Sequence, residues 1–402
     1  MIDNSSPFRV CHISTMTNLG GVEQMLSDFL MQSHSRQFLY YLLTTSSSPE
    51  ILRPIITKGV PFFQPQRRFH YDPNAILQMA SWLRSQHIQI LHSYNAYANS
   101  WGSLAAYMAN VPMYISGEHG SVWWVKPPMS WLDSLAQRRA KLIIANSRAS
   151  AITLSATYRI PQSKIRVVYN GVPPLPQVDS RRVKNELGFD DQTQIVGSIG
   201  RLDTPKDFST FVDAAAIVTK KLHHVIFLIV GGGPLESELR KQIRELDIEE
   251  KCMLTGWRAD ARMLVQVFDL FVSTSIHEAF GNALVEASLA GKPIIAPKVD
   301  GISEVVLNGT TGVLLNPTKP FQEFPLDCRC ATLPPKKVLI AGQLQPPKSL
   351  DANLLARTII DLLNHQELRR HYGNAGRERA LNLFSIDRYI FELESIYESL
   401  IG

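Results

Sequence analysis

Two carboxylates and two cations carry the chemistry that can be read from this chain. The stretch HEAFGNALVEASLAG places Glu278 and Glu286 eight positions apart around a Phe280–Gly281 pair. Upstream, GRLDTPKDF supplies Arg201 and Lys206. An arginine fork and a lysine point charge suit two linked phosphates. Ionised carboxylates accept hydrogen bonds from vicinal hydroxyls. The set matches a diphosphate joined to hydroxylated rings, which is the make-up of a sugar nucleotide. The plainer alternative is two solvated cations and two exposed carboxylates. For Glu286 that alternative is weak, because Ala283, Leu284, Val285, Ala287 and Leu289 make its surroundings apolar.

The elements that must position these residues are legible. TQIVGSIG reads as a strand ending at Gly200, so Arg201 stands at its carboxyl end, where open α/β sheets bind ligands. Lys206 lies five residues on, where the next helix begins. LFVSTS is a strand and NALVEASLAG a helix, which puts Glu278 in the turn and Glu286 inside the helix. Gly281 lets the backbone approach a ligand, and the helix's first N–H groups offer an anion site.

Strand and helix patterns alternate through the whole chain. FRVCHIS, LYYLLTT, IQILHSY, PMYISGEH and KLIIANS are strands of the first half, with VEQMLSDFLMQS and NAILQMASWLRSQ helical between them. TQIVGSIG, VIFLIVGGG, CMLTGWR, LFVSTS and KPIIAP repeat the scheme, with helices such as FSTFVDAAAIVTKKL and PLESELRKQIREL. That alternation, twice over, predicts an α/β protein of two Rossmann-like domains. PPLPQVDSRR, residues 173–182, reads as the linker, giving domains of 1–175 and 176–384. Residues 317–349 hold seven prolines and two of the cysteines. That is long for a loop, so it is either a functional flap or poorly ordered. NLLARTIIDLLNHQELRRHYGNAGRERALNLF reads as helix, and 385–402 as a final helix capped by Ser385 that packs back on the first domain.

Bulk properties set limits. The 402 residues exceed one ordinary core, and a net charge of +5 is no nucleic-acid footprint by itself. Four cysteines make no disulfide framework. Cys11 and Cys252 sit in apolar runs and read as buried; Cys328 and Cys330 are either bare thiols or a lone metal or redox pair. The opening residues MIDNSSPFRVCHIS show no apolar signal region, and no run reaches the roughly 18 apolar residues of a membrane span. The expected location is the cytoplasm, extending to the inner face of its membrane.

GRLDTPKD followed by EAFGNALVE resembles the retaining GT-B glycosyltransferases of family 4, which carry G-R-L-x-x-x-K-(D/G) and an E-x7-E motif. Between them, FLIVGGGP and TGW fit the same family, so the resemblance covers about 190–317 and leaves the proline-rich insert uncovered. The resemblance implies two domains facing a central cleft. It gives Arg201 and Lys206 the donor diphosphate, Glu286 the ribose hydroxyls and Glu278 the donor sugar. Gly231, Gly232 and Gly233 are either loop geometry near the nucleotide or a tight strand-to-helix turn. In the first domain, TNLGGVEQMLSDF resembles the family's glycine-rich loop, whose Gly20 and Gly21 expose N–H groups to the donor. His119, in SGEHGS, matches a histidine beside the donor sugar, although it is one of eleven histidines and a structural role is the alternative. Asn170 and Gly171 read as structural. Trp257 and Arg258 are candidates for the base pocket.

The expected reaction is transfer of a sugar from a nucleotide-diphosphate donor to an acceptor hydroxyl, a sugar or a lipid-linked one, in surface-polysaccharide, lipopolysaccharide or glycolipid synthesis. The resemblance implies retention at the anomeric carbon. No D-x-D occurs, so no metal or other cofactor is expected. Two alternatives remain: a sugar-nucleotide epimerase or hydrolase on a similar scaffold, and a non-catalytic sugar-binding protein. SVWWVKPPMSWLDSLAQRRAK gathers Trp123, Trp124 and Trp131 with Lys126, Arg138, Arg139 and Lys141; PFFQPQRRFHY adds Phe62, Phe63, Arg67, Arg68 and Phe69. Aromatics among cations suit a membrane surface, sugar stacking or a core cap.

Overall fold

The computed structural model describes residues 7–16, 20–68, 72–120, 122, 126–321, 332 and 334–401. The chain divides into two compact units, Met1–Pro173 with Ser385–Gly402, and Pro174–Phe384. No helix among the described residues is long and apolar enough to cross a membrane.

Among the described residues, the first unit is built on a parallel sheet of seven strands. These are β1 (Phe8–Met16), β2 (Phe38–Ser47), β3 (Phe62–Phe63), β4 (Ile90–Ser93), β5 (Met113–Glu118), β6 (Leu142–Ala145) and β7 (Ile165–Val167). Their order is β3-β2-β1-β4-β5-β6-β7. The second unit has six parallel strands: β8 (Gln194–Ile199), β9 (Val225–Val230), β10 (Cys252–Leu254), β11 (Leu270–Val272), β12 (Ile294–Pro297) and β13 (Gly312–Leu315). Their order, β10-β9-β8-β11-β12-β13, repeats the first. Both are therefore Rossmann-like, and in each the winding reverses beside the first strand. The reversal opens a crevice at the carboxyl ends of β1 and β4, and of β8 and β11.

Central strands are largely apolar because helices cover both faces; every residue of β9 is buried. A core cluster of the second unit gathers around Val196, Phe211, Phe227 and Ile359. Two clusters lie in the first unit. One of them includes Ile386, Tyr389, Leu393, Ile396 and Tyr397 of the helix Ile386–Ile401. Their three- and four-residue spacing is one helix face, and it is buried within the first unit. Gly171 is required where that helix crosses, since an added Cβ would sit 2.5 Å from Tyr389 Cβ.

Three expectations need correction. The linker is shorter than 173–182: a helix, Ser180–Glu186, starts inside it because Asp179 caps the N–H groups of Arg181 and Arg182. The helical run after residue 350 is two helices, Ala352–Asn364 and Gln366–Leu383, parted at His365. The proline-rich insert, in its described part, is pinned rather than loose. Lys319–Pro320 pairs with Lys348–Ser349, and Val338–Ile340 forms a hairpin with Gln343–Gln345.

Candidate active site

The recognised motifs of the second unit fall on the two strands that flank its reversal. After β8 the chain makes one tight turn, Thr204–Lys206, which Asp203 caps by accepting from the Thr204 N–H at 2.9 Å. After β11 the chain runs back across that turn. Thr274 Oγ1 donates to the Lys206 carbonyl at 2.9 Å, and the Ile276 N–H to the Pro205 carbonyl at 2.9 Å. These bonds bring the cation of one motif to the carboxylate of the other: Lys206 Nζ is ion-paired with Glu278 Oε2. A small pocket opens there, lined by Ser198, Lys206, Ser273, Thr274, Ser275, Glu278 and Gly281.

Arg201 lies elsewhere. Its guanidinium is paired with Asp203 Oδ2 at 2.8 Å, and its side chain is 56% exposed. Sequence reasoning sets Arg201 beside Lys206 in one clamp; the structure gives each its own acid.

Gly281 precedes the helix Asn282–Leu289 with φ +101°, a conformation that favours glycine. A Cβ there would also lie 2.7 Å from Leu284 Cδ1 and 3.3 Å from Glu278 Cγ. Glu286 follows on the helix and is buried, as its apolar neighbours suggest. Arg262 Nε meets its Oε1 at 2.6 Å. Nothing in the sequence singles out Arg262, which lies in a short helix, Ala261–Leu264, outside any motif.

His277, next to Glu278, is also buried and bonds Asp300 Oδ2 through Nδ1 at 2.6 Å. Burial alone pulls its pKa down; the Asp300 charge and hydrogen bond, helped by Glu278, outweigh burial and raise it above the ordinary histidine value. Asp300 also accepts from the Glu278 N–H at 3.3 Å. The His277–Glu278 turn is thus held by a residue far along the chain.

In the first unit the equivalent crevice holds Gly20 and the aromatic end of β4. Gly20 precedes the helix Gly21–Gln32, where Gly21 is exposed. A Cβ on Gly20 would sit 2.5 Å from the Glu23 carboxylate, so a side chain there would displace the end of Glu23; its φ of −87° makes no demand for glycine. Burial pushes the Glu23 carboxyl up to about 7, against opposing hydrogen bonds from its own N–H, that of Gly20 and the Thr15 hydroxyl. His119 follows β5 and stacks on Tyr94 at 5.5 Å. Both its ring nitrogens are buried without a hydrogen-bond partner among the described residues. Burial lowers its pKa to about 4, so the ring is neutral near pH 7. Behind it, Tyr94 Oη meets His12 Nδ1 at 2.8 Å and His92 Nδ1 at 3.3 Å, while Tyr397 Oη meets His92 Nδ1 at 2.8 Å.

The family model for glycosyl transferases group 1 matches residues 179–322, and that for glycosyltransferase family 4 matches residues 19–174. The two matches fall on different units, the first ending at residue 322 of the second unit. The chain is a glycosyltransferase of GT-B fold. Among curated relatives, the UDP-Gal:alpha-D-GlcNAc-diphosphoundecaprenol alpha-1,3-galactosyltransferase of Escherichia coli is 25% identical over 334 residues, covering 78% of this chain and 86% of that one. The N-acetyl-alpha-D-glucosaminyl L-malate synthase of Bacillus anthracis is 24% identical over 372 residues, covering 85% and 87%. Of solved structures, Anabaena Alr3699/HepE in complex with UDP and glucose superposes with TM-score 0.79 at 21% identity, covering 98% of this chain and all of that one.

Several other readings of this glycosyltransferase find their place. The glycines after β9 serve packing: a Cβ on Gly231 would lie 2.0 Å from the Gly200 carbonyl oxygen, and one on Gly233 2.4 Å from that of Leu202. They let the β8 and β9 ends close together, which is the turn geometry. Trp257 is exposed and lies against Gly232, while Arg258 is paired with Asp260 at 2.7 Å. Cys11 and Cys252 are buried. Phe69, Trp123, Trp124, Cys328 and Cys330 lie outside the described residues.

Proposed function

We propose that this glycosyltransferase moves a hexose from a nucleotide-diphosphate sugar to a hydroxyl of a lipid-linked acceptor, with retention at the anomeric carbon. The observation that carries the reading is the Lys206–Glu278 contact at the reversal point of the second sheet, with Arg201 on the loop after β8 and the buried Glu286 on the helix after β11. Lys206 and Arg201 hold the donor diphosphate. As the anomeric C–O bond breaks, the leaving nucleoside diphosphate gains negative charge, and these cations with the N–H groups following Gly281 stabilise it. Glu286 accepts from the ribose hydroxyls, and Glu278 from the donor sugar. The acceptor oxygen forms the new bond to the anomeric carbon on the same face, and its proton passes to the leaving phosphate. Neither glutamate serves as a covalent nucleophile. Protein cations, in place of a metal ion, neutralise the leaving group.

The E. coli relative's named acceptor, a diphosphoundecaprenol-linked sugar, supports a lipid-linked acceptor, and the UDP in the HepE complex supports a uridine donor. Contact with an anionic membrane fits the surface of the first unit. Trp131 is 70% and Tyr107 72% exposed, and the Arg139 guanidinium lies 5.3 Å from the Tyr107 ring centre. Thermal unfolding with UDP, GDP, ADP and their sugars tests the donor. A nucleotide at 100 times its Kd stabilises by about 2.7 kcal/mol. UDP should raise the melting temperature and Lys206→Ala should abolish the rise; no response to any nucleotide would overturn the reading.

A further inference from the structure

Two buried aspartates, Asp203 at a variable position of GRLDTPKD and Asp300 outside the recognised motifs, each divide one carboxylate between a site residue and the proline-rich insert. Asp203 holds Arg201 through Oδ2 at 2.8 Å. The same carboxylate accepts the Thr332 N–H on Oδ1 at 2.7 Å and the Thr332 hydroxyl on Oδ2. Asp300 holds His277 Nδ1 through Oδ2 at 2.6 Å and accepts the Leu339 N–H on Oδ1 at 2.7 Å. The Asp300 N–H in turn donates to the Leu339 carbonyl at 2.8 Å, and Val299 bridges to Ile340. A third acid, Asp207, directly after Lys206, bonds the hydroxyls of Thr210 and Ser349, the latter at the base of the insert. Asp203, Asp207 and Asp300 are all under 8% exposed. A buried carboxylate is costly unless its oxygens are satisfied, so the insert supplies hydrogen bonds that each of these acids needs.

We propose that the insert is a working part of the donor site, and that Thr332 and Leu339 position Arg201 and the His277–Glu278 turn through Asp203 and Asp300. The inference rests on the donor-site reading above. A site built only from strand ends would leave Arg201 free to swing and the Glu278 turn without its second support. Thr332 bonds both Asp203 oxygens, and its hydroxyl also accepts from the Arg201 guanidinium at 3.4 Å, which fixes the carboxylate and aims the guanidinium. With Leu339 on one oxygen, Asp300 keeps the other for His277. Such supporting residues set how well a binding group is oriented, not what chemistry it performs. The insert therefore tunes donor affinity and leaves the bond-breaking step to the motif residues.

The test pairs donor binding with a readout that needs no donor. Thr332→Val removes the hydroxyl, Asp300→Asn the charge, and Lys336→Ala, at an exposed position of the same segment, serves as control. Titration calorimetry with UDP should show roughly three- to tenfold weaker binding for Thr332→Val, the worth of about one hydrogen bond. Its kcat should stay within about twofold at saturating donor, Thr332→Ser should restore affinity, and Lys336→Ala should match the wild type. Amide exchange at Glu278 and Gly301 should speed up in Asp300→Asn and in Leu339→Pro, with no ligand present. Wild-type affinity in Thr332→Val while Lys206→Ala loses binding would overturn the inference and leave the donor-site reading standing. Unchanged exchange at Glu278 and Gly301 in both variants would overturn it whether or not any nucleotide binds. Retained UDP binding in Lys206→Ala would instead overturn the donor-site reading.

Discussion

The two units share a strand order and treat their crevice residues in opposite ways. The second unit arms its reversal point with charge and balances each charge: Lys206 against Glu278, Arg262 against Glu286, Arg201 against Asp203, His277 against Asp300. The first unit keeps neutral rings behind its crevice. His92 and His119 stack on Tyr94 and His12 packs tilted against it, and each has a ring nitrogen without a hydrogen-bond partner among the described residues. One fold thus serves two electrostatic purposes. Paired charges can be lent to an anionic ligand when it arrives. Buried neutral rings present shape and a lone pair without repelling or attracting a diphosphate.

Charge removal in the second unit should have the largest effect. Lys206→Ala should lower kcat/KM by roughly 10²–10³, as loss of a transition-state donor does, with far-UV circular dichroism unchanged. Steady-state assays at varied donor will show it; near-wild-type turnover would break the contrast between the units. Next comes Arg262→Ala, which takes the arginine away from the buried Glu286 carboxylate. Breaking such a pair should destabilise the second unit by about 3 kcal/mol, read by urea unfolding, and Glu286→Gln in the same background should recover part of it.

The first unit should instead reveal itself through acid. Burial lowers the pKa of His12 to about 3 and of His119 to about 4, and holds His92 well below its ordinary value. Above pH 6.5 the folded and unfolded states bind these protons equally. Below it the unfolded chain takes up protons that the folded unit refuses, so stability is lost as pH falls from 6.5 towards 4. Near-ultraviolet circular dichroism should show the first unit melting earlier at pH 5 than at pH 7.5. His119→Gln should flatten that dependence by about one proton. An equal response of both units to pH would contradict the comparison.

Two smaller effects sharpen it. Trp131→Ala should weaken co-sedimentation with anionic vesicles at low salt by roughly tenfold, if the aromatic–basic surface inserts about one side chain's apolar area. The absence of binding by the wild type would end that proposal. Activity in excess EDTA should stay within about twofold of the untreated enzyme. Complete loss, restored by Mg²⁺ or Mn²⁺, would show that the cations of the second unit do not suffice.

The sequence by itself determined the local layer of this protein. Strand–helix alternation set both Rossmann-like units, since a strand buried on both faces must be apolar along its length. The apolar neighbours of Glu286 announced its burial, and Arg201, Lys206, Glu278 and Gly281 declared themselves by type and position at strand ends. What side-chain periodicity reports is the face a residue occupies, never the partner across from it. Lys206 meets Glu278 only because β8 and β11 become neighbours at the sheet's reversal, a pairing made by the tertiary winding. Arg262 reaches Glu286 from a helix of four residues, too short to carry a pattern. Asp203 and Asp300 draw in the insert from more than a hundred and nearly forty residues away. Those contacts are hydrogen bonds between loops, where no repeat constrains the sequence and any polar residue would have looked like solvent-facing surface. Only folding, by burying the carboxylates and demanding partners for them, decided which residues they bind.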